Sequence, residues 1–253
     1  MTGGQLAGRV AIITGAGQGI GEAIARAYAR EGAKVVLTGR TLAKVEAAAE
    51  AIRGAGGEAQ AIEALAGNAA DAARTVDLTI GNWGRIDILV NNAHSFTDYL
   101  PLEDPRMADH LRIDLESALI GSLQLMQGCF PHMSKQGGGS IINMGSSYGL
   151  RCEPGFLAYA ASKEAVRALT RTAAREWGKH GIRVNTLLPA AMSPKAIDYL
   201  AASNSYDAEL ARVALGRFGS ADDIAPTAIF LGSDASNYVT GQTIGVDGGS
   251  TML

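Results

Sequence analysis

The sequence has few cysteines and none of the patterns that bind metals. Cys129 and Cys152 are its only cysteines, and they form neither a CxxC pair nor a disulfide framework. Such usage is typical of a reducing compartment, so we expect a cytoplasmic protein. The four histidines show no ligand spacing such as HExxH, and we therefore expect no metal site.

Long apolar runs and blocks of one charge are missing as well. No stretch approaches the roughly 18 consecutive apolar residues of a membrane span, and residues 1–8 do not resemble a secretory signal. The net charge is −3 with no long run of either sign, whereas nucleic-acid-binding proteins usually carry a basic patch. We therefore expect neither a membrane segment nor a nucleic-acid partner.

Short apolar runs alternate with longer helical patterns along the 253 residues. Runs rich in Val and Ile predict buried strands at Val10–Thr14, Lys34–Thr38, Asp87–Asn91, Ser140–Met144 and Arg183–Leu188, with weaker candidates at Ala59–Glu63 and Gln242–Val246. Helices are predicted at Gly19–Glu31, Leu42–Ala55, Ala69–Trp83, Arg106–Met133 and Ala158–His180. This alternation predicts an α/β fold, a Rossmann-type doubly wound parallel sheet of about seven strands with helices on both faces. No linker divides residues 1–253, so we expect a single domain, in which the irregular residues 190–218 form a candidate substrate-binding lid.

A glycine-rich turn joins the first predicted strand to the first predicted helix. It runs from Thr14 to Gly21 with the sequence TGAGQGIG. Glycines let the backbone approach a pyrophosphate closely, and the following helix offers free N–H groups and the positive end of its dipole. A plain strand–helix turn is the alternative, but the position between a strand and a helix is the one that dinucleotide binding requires. The residues predicted to bind the cofactor here are Gly15, Gln18, Gly19, Ile20 and Gly21.

The second predicted strand is followed by Arg40 rather than by an acidic residue. An acid at this place binds the ribose hydroxyls of NAD, whereas an Arg accommodates the 2′-phosphate of NADP. A guanidinium is well shaped for phosphate, so NADP is the preferred cofactor, with NAD possible. The alternative is that Arg40 is simply a solvated residue at the start of a helix.

Tyr159 and Lys163 stand four residues apart in a predicted helix and therefore share one of its faces. A free tyrosine has a pKa of about 10, and we expect the nearby Lys163 ammonium to lower that pKa toward the range useful for acid–base catalysis. Ser146 follows the predicted strand Ser140–Met144, at the end of the strand where such sheets place their chemistry. Without this serine, the pair would be interpreted as a surface contact.

Taken together, the motifs identify the chain as resembling the short-chain dehydrogenase/reductase family over essentially its full length. The matching pieces are Thr14–Gly21, Asn91–Ala93, Ser146, Tyr159 with Lys163, Arg183–Asn185 with Pro189, Arg217–Gly219 and Val246–Gly249. The resemblance implies that Tyr159 exchanges a proton with the substrate oxygen, that Ser146 orients that oxygen, and that Lys163 holds the nicotinamide ribose. It also implies further cofactor contacts from Asn92, Ala93, Pro189 and Ser193, and a homotetramer or homodimer formed through the long helices at 106–133 and 158–180.

Two departures from the family pattern concern the catalytic centre. The family's supporting Asn corresponds to Asp114, which we include among the catalytic residues. An ionised Asp114 would oppose formation of a Tyr159 phenolate and raise the working pH, unless its side chain only caps backbone in the helix. The usual glycine after Asn-Asn-Ala is His94, which either meets substrate or simply fills space above the sheet edge.

Two further departures concern the cofactor and the lid. The family's adenine-binding Asp corresponds to Leu65, so adenine would lose one polar contact. The glycine that usually follows Pro189 is Ala190, which favours a different departure angle for the lid because alanine rarely adopts a positive φ.

These observations predict an oxidoreductase that transfers a hydride between NADP(H), or NAD(H), and a small-molecule ketone or secondary alcohol. The residues predicted to contact substrate are His94, Ser146, Tyr148, Phe156 and Met192. Two alternatives stay open: a 3-oxoacyl thioester reductase, and a cofactor-binding protein with weakened catalysis that acts as a sensor.

Overall fold

The computed structural model describes residues 4–192 and 206–252. Numbered along the chain, its strands are β1 (Val10–Thr14), β2 (Lys34–Gly39), β3 (Glu58–Glu63), β4 (Ile88–Asn91), β5 (Gly139–Met144), β6 (Ile182–Pro189) and β7 (Thr243–Val246). They form one sheet in the order β3-β2-β1-β4-β5-β6-β7, and each neighbouring pair is parallel. The predicted α/β fold with a seven-stranded parallel sheet is therefore confirmed.

Helices connect successive strands and cover both faces of the sheet. They are α1 (Gly19–Arg30), α2 (Leu42–Gly54), α3 (Ala69–Trp83), α4 (Met107–Leu115), α5 (Gly121–Lys135), α6 (Ser147–Arg151), α7 (Leu157–Trp177), α8 (Tyr206–Leu210) and α9 (Ala221–Gly232). None of the helices in the described ranges is long and apolar enough to cross a membrane.

The structure differs from the sequence-based prediction in its helices: the long predicted helix is divided, and α6, α8 and α9 were not predicted. The predicted helix Arg106–Met133 consists of α4 and α5 joined by a π-helical segment, Glu116–Ile120. Helix α9 was not predicted, although Ser220 and Asp223 form a capping box at its start. Pro226 inside α9 weakens the helical signal, because proline removes a backbone donor.

Two apolar clusters pack against opposite faces of the sheet. Along β1, Ile12 joins the cluster beneath α3, α5 and α7, while the next residue, Ile13, joins the cluster beneath α1, α2 and α9. Both side chains are fully buried. Strands covered on both faces must be apolar at every position, which explains the continuous rather than alternating hydrophobic runs.

The strand order places a reversal of direction next to β1. The chain continues from β1 to β2 and β3 on one side of the sheet, and returns to β4 on the other side. Parallel sheets leave a crevice outside the carboxyl ends of the strands at such a point, and ligands commonly bind there.

Candidate active site

The carboxyl ends of β1, β4 and β5 bring three loops to one edge of the sheet. The glycine-rich turn follows β1, His94 lies in the loop after β4, and Ser146 lies just after β5. Helix α7 then adds Tyr159 and Lys163. Residues far apart in sequence are therefore neighbours in the crevice.

The glycine-rich turn has backbone conformations and clearances that require glycine. Gly15 and Gly19 have φ angles of 63° and 62°, in the left-handed region. A Cβ at Gly21 would lie 2.5 Å from the carbonyl oxygen of Gly15, whereas a Cβ at Gly19 would meet no atom within 4 Å. Gly21 thus serves close packing, and Gly19 leaves open backbone at the start of α1. Gln18 makes no side-chain capping bond there, so it leaves the N–H groups of the first helical turn free for an anion.

Asn92 and Ala93 hold this turn in place. The Asn92 side-chain amide donates to the Thr14 carbonyl at 2.8 Å, and the backbone N–H groups of Asn92 and Ala93 both donate to the Thr14 hydroxyl at 2.9 Å. The described contacts of the Asn92 side chain are thus to backbone, so this residue supports the cofactor site by fixing Gly15.

A groove beside the turn encloses about 970 Å³ of space open to solvent. Its lining includes Gly15, Gly17, Gln18, Gly19, Gly39, Arg40, Thr41, Lys44, Val45, Ala64, Leu65, Ala66, Asn92, Ala93, His94 and Ser95. Arg40 is exposed at its rim, and Lys44 donates from Nζ to Gln18 Oε1 at 3.1 Å. The open glycine backbone and two cations fit an extended, anionic dinucleotide.

Leu65 occupies the position at which the sequence predicts the loss of one polar contact to adenine. It is 49% exposed and lines the groove, and its backbone N–H donates to Asp71 at 2.9 Å. This bond, aided by Arg74, holds the pKa of Asp71 below its usual value. Asp71 is thus an acid near the groove, but its carboxylate is already engaged by Leu65 and Arg74.

Ser146, Tyr159 and Lys163 come together at the inner end of the crevice. Ser146 is buried, caps α6 by accepting from the Tyr148 N–H at 3.2 Å, and lies close enough to Tyr159 to affect its pKa. The Lys163 ammonium is buried, donates to the Met144 carbonyl at 3.0 Å and lies 5.6 Å from the centroid of the Tyr159 ring.

The pKa of Tyr159 differs from our expectation. Burial raises this pKa above its ordinary value; the interaction with the Ser146 side chain lowers it, and the Asp114 charge raises it further. The expected lowering by Lys163 is therefore not found in the free protein. Lys163 is itself affected, since burial lowers its pKa to about 8 against the opposing effect of Asp114.

Asp114 and His94, the two departures near the catalytic centre, contact each other. Asp114 is completely buried in α4; its Oδ1 lies 2.9 Å from His94 Nε2, and its Oδ2 accepts from the Thr97 hydroxyl at 2.7 Å. The Asp114 side chain does not cap backbone, which was the alternative interpretation. The His94 ring is mostly buried, with its centroid 5.1 Å from that of Tyr159.

Tyr159 and five other aromatic rings form a continuous cluster. The Tyr148 and Phe156 rings stack at 4.6 Å, Phe156 contacts Tyr99 at 4.2 Å, and Phe96 contacts Tyr159 at 5.5 Å. His94 is the sixth member. Phe96 and Tyr99 are 49% and 55% exposed, so the cluster presents apolar surface outside the reacting centre.

The far side of the crevice is formed by the chain after β6. Pro189 ends β6, and the Met192 N–H donates to the Gly219 carbonyl at 2.9 Å. Met192 and Tyr148 line the same small pocket. Ser193, predicted to contact the nicotinamide, lies outside the described residues, as do residues 193–205 of the predicted lid.

Sequence reasoning did not identify Thr97 and Lys44 as site residues. Thr97 bonds Asp114 from a loop without regular structure, so no periodic pattern signals it. Lys44 lies in the first turn of α2 and lines the groove together with Arg40, so a basic residue soon after Arg40 was the sequence signal that could have identified it.

Comparison with known proteins agrees with this geometry. The family model described as enoyl-(acyl carrier protein) reductase matches residues 15–251. The chain is 38% identical over 251 residues to the 12α-hydroxysteroid dehydrogenase of Clostridium sp., with 96% of each protein covered. It is 34% identical over 250 residues to a 3-oxoacyl-(acyl-carrier-protein) reductase of Thermotoga maritima, with 97% of the chain and 98% of the relative covered.

Solved structures similar to this chain are also dehydrogenases. A 7α-hydroxysteroid dehydrogenase complexed with NADH and 7-oxo-glycochenodeoxycholic acid matches with a TM-score of 0.91 and 34% identity, covering 97% of this chain and 95% of that one. A Beutenbergia cavernae structure with bound NADP matches with a TM-score of 0.90 and 37% identity, covering 97% and 98%. Both cofactor forms therefore occur among the similar structures.

Proposed function

This chain belongs to the short-chain dehydrogenase/reductase family, and we propose that Ser146, Tyr159 and Lys163 catalyse its reaction. Its class is that of an NAD(P)-dependent oxidoreductase acting on hydroxyl or carbonyl groups. The observation that carries the catalytic assignment is that the buried Lys163 ammonium lies 5.6 Å from the centroid of the Tyr159 ring, with the buried Ser146 near enough to affect the same phenol.

In the reductive direction, Tyr159 donates its phenolic proton to the carbonyl oxygen, and Ser146 orients that oxygen by a hydrogen bond. When bound, the reduced cofactor supplies the hydride that the carbonyl carbon accepts. The raised pKa of Tyr159 keeps the phenol protonated in the free protein, which is the form that reduction needs. Lys163, held by the Met144 carbonyl, supplies a cation beside the phenolate that remains.

Replacing Tyr159 by Phe tests this assignment. We expect kcat to fall by roughly 10²–10⁴-fold, because a positioned proton donor contributes about that much, while cofactor affinity stays the same. Tyr238→Phe is the matched control, since Tyr238 is fully exposed. Unchanged turnover by the Tyr159 variant would exclude Tyr159 as the proton donor.

NADP(H) is the proposed cofactor. Arg40 and Lys44 line the groove beyond the glycine-rich turn, where the adenosine ribose of a dinucleotide bound at that turn would lie. Two cations, with no acid among the described residues that line the groove, favour a 2′-phosphate over free ribose hydroxyls.

Fluorescence titration with NADPH and NADH tests this preference. We expect NADPH to bind more tightly, and Arg40→Ala to weaken NADPH roughly tenfold, through loss of charge-assisted bonds to phosphate, while NADH is little affected. Arg30→Ala removes one exposed positive charge from the end of α1 and should change neither affinity. Equal weakening of both cofactors by Arg40→Ala would contradict the proposed role.

The aromatic cluster favours a ring ketone or its alcohol as substrate. Exposed apolar surface from Phe96 and Tyr99 suits a bulky, flat skeleton, and two of the similar proteins are named hydroxysteroid dehydrogenases. A 3-oxoacyl thioester is the second candidate, supported by the Thermotoga maritima relative.

A panel of oxo-steroids, cyclic ketones and 3-oxoacyl thioesters distinguishes the two candidate substrate classes by their kcat/KM values. NADPH binding without turnover of any of them would favour the sensor interpretation instead.

A lid at residues 190–218 and assembly into dimers or tetramers are also proposed. Ile113 on α4 and Leu157 at the start of α7 are 47% and 40% exposed, which supports pairing of two copies through the long helices. Light scattering tests the assembly, because a particle of about 26 kDa, the mass of one chain, would contradict it.

A further inference from the structure

His94 and Asp114 lie 20 positions apart, yet they form one contact in the fold. The Asp114 side chain is completely buried, and Asp114 faces Thr97 and His94 within 3 Å. A buried carboxylate is costly unless donors surround it. The Thr97 hydroxyl supplies one donor to Oδ2, and the His94 ring lies 2.9 Å from Oδ1 without the alignment of a regular hydrogen bond, so the two unusual residues are packed against each other.

This contact adjoins the catalytic phenol. The His94 ring is tilted by 38° against the Tyr159 ring at a centroid distance of 5.1 Å, and Phe96 packs edge-on against both rings. His94 also lines the cofactor groove. Its ring therefore adjoins both the groove and the catalytic phenol.

We propose that His94 and Asp114 act together as a positioning pair for Tyr159, in which the Asp114 carboxylate fixes the His94 ring against the catalytic phenol. The inference rests on the proposed role of Tyr159. The 2.9 Å approach of Nε2 to the carboxylate is favourable only when that nitrogen carries the proton, so we assign the Nε2–H tautomer to neutral His94. Thr97 completes the pair by binding the second carboxylate oxygen.

The pair also links the ionisation of several groups. Burial lowers the pKa of His94, and the contact with Asp114 opposes this effect. The Lys163 charge lowers the pKa of His94. Tyr99 in the neighbouring loop and Tyr148 on α6 raise the pKa of Tyr159. An Asp114 charge disfavours the Tyr159 phenolate, so removing it should favour proton abstraction at lower pH.

The first experiment compares the pH dependence of alcohol oxidation in wild type and Asp114→Asn. We expect the ascending limb of the kcat/KM profile to move to lower pH by roughly one unit, the size of a single charge effect at partly buried distances. Asp109→Asn is the matched control, because Asp109 lies on the same helix but is exposed and paired with Arg112. An unmoved profile in Asp114→Asn would overturn the proposed pair.

The second experiment is a double-mutant cycle with His94→Phe, Asp114→Asn and the combined variant. His94→Phe keeps an aromatic ring beside Tyr159 but leaves the Asp114 carboxylate without its ring donor. We expect it to lower kcat/KM roughly tenfold, and the combined variant to resemble Asp114→Asn alone, since contacting residues couple by about that factor. Simple additivity of the two single effects would overturn the pair.

A third measurement does not depend on turnover. Of the four histidine signals in a nuclear magnetic resonance titration, the one that is absent from His94→Phe belongs to His94. We expect that signal to titrate at lower pH in Asp114→Asn and at the wild-type pH in Asp109→Asn, because Asp114 favours the protonated ring. An unchanged His94 titration would refute the pair even if the protein is active. Failure of every carbonyl substrate would instead refute the proposed function alone.

Discussion

Lys163 occupies a position where a charged amine is costly. It is buried on α7, and burial lowers its pKa to about 8 from 10.5. Between these two pH values the unfolded chain binds more protons than the folded one, so folding stability rises with pH across this window. Below pH 8 the folded protein must bury an ammonium, and we expect this cost to be present throughout the neutral range.

Lys163→Met should therefore stabilise the protein while abolishing its activity. We expect the free energy of unfolding at pH 7 to increase by about 1–3 kcal/mol, since each unit of pKa shift corresponds to about 1.4 kcal/mol and the bond to Met144 is lost. Urea unfolding at pH 7 and pH 10 measures the change, and the gain should shrink at the higher pH. Lys135→Met, at an exposed position, is the control; equal effects from both variants would contradict the burial argument.

At the scale of elements, glycines in and outside the turn before α1 distinguish an effect on cofactor binding from an effect on stability. Gly19 and Gly56 both have a positive φ and open space where a Cβ would lie, but only Gly19 faces the cofactor groove. Any side chain at either position is disfavoured by the same backbone strain.

Gly19→Ala and Gly56→Ala should consequently have similar effects on stability and different effects on binding. We expect each to lower the free energy of unfolding by about 1 kcal/mol. Only Gly19→Ala should weaken NADPH, by roughly tenfold or more, because its methyl group obstructs the approach of phosphate to the helix N-terminus. Thermal unfolding and fluorescence titration measure the two effects. If Gly56→Ala weakens NADPH equally, the open space at Gly19 is not the phosphate site.

The π-helical segment Glu116–Ile120 shows what the periodicity of one element cannot predict. The apolar pattern predicts a single helix, and both flanking helices do form. A π turn shifts the register of the residues on either side of it, and such segments frequently mark functional sites. Asp114 lies two residues before this segment, so the orientation of α4 relative to α5 depends on it.

At the scale of the whole molecule, the two edges of the sheet have different roles. The carboxyl edge holds the crevice, whereas the opposite edge holds Asp87, which is 2% exposed. Asp87 accepts from the Val10 N–H at 2.9 Å and from Arg85 at 2.6 and 2.8 Å, and Arg9 lies 3.5 Å away. This carboxylate ties the start of β1 to β4.

Asp87→Asn should lower stability without changing the chemistry. We expect a loss of about 1–3 kcal/mol, because the buried carboxylate accepts charge-assisted bonds that the amide cannot all replace, while the half-exposed Arg85 and Arg9 stay solvated. Urea unfolding measures the loss, and kcat/KM of the folded variant should stay within about twofold of wild type. Asp77→Asn on exposed α3 surface is the control. A large loss of kcat/KM at full folding would show that the two edges are coupled.

The sequence alone determined the fold class, the family and the class of reaction, which are confirmed. Strands buried on both faces appear as continuous apolar runs, and the glycine-rich turn and the Tyr159–Lys163 spacing are local patterns that a linear reading can detect. These features depend on residues within a few positions of each other, so no tertiary information was needed.

Only the tertiary structure decided how distant residues act on one another. It brought Asp114 to His94 and Thr97, directed Asn92 to the glycine-rich turn, and raised rather than lowered the pKa of Tyr159. The physical reason is that burial and long-range contacts set the energies of ionisable groups. Both follow from packing between elements, which no local pattern of residues specifies.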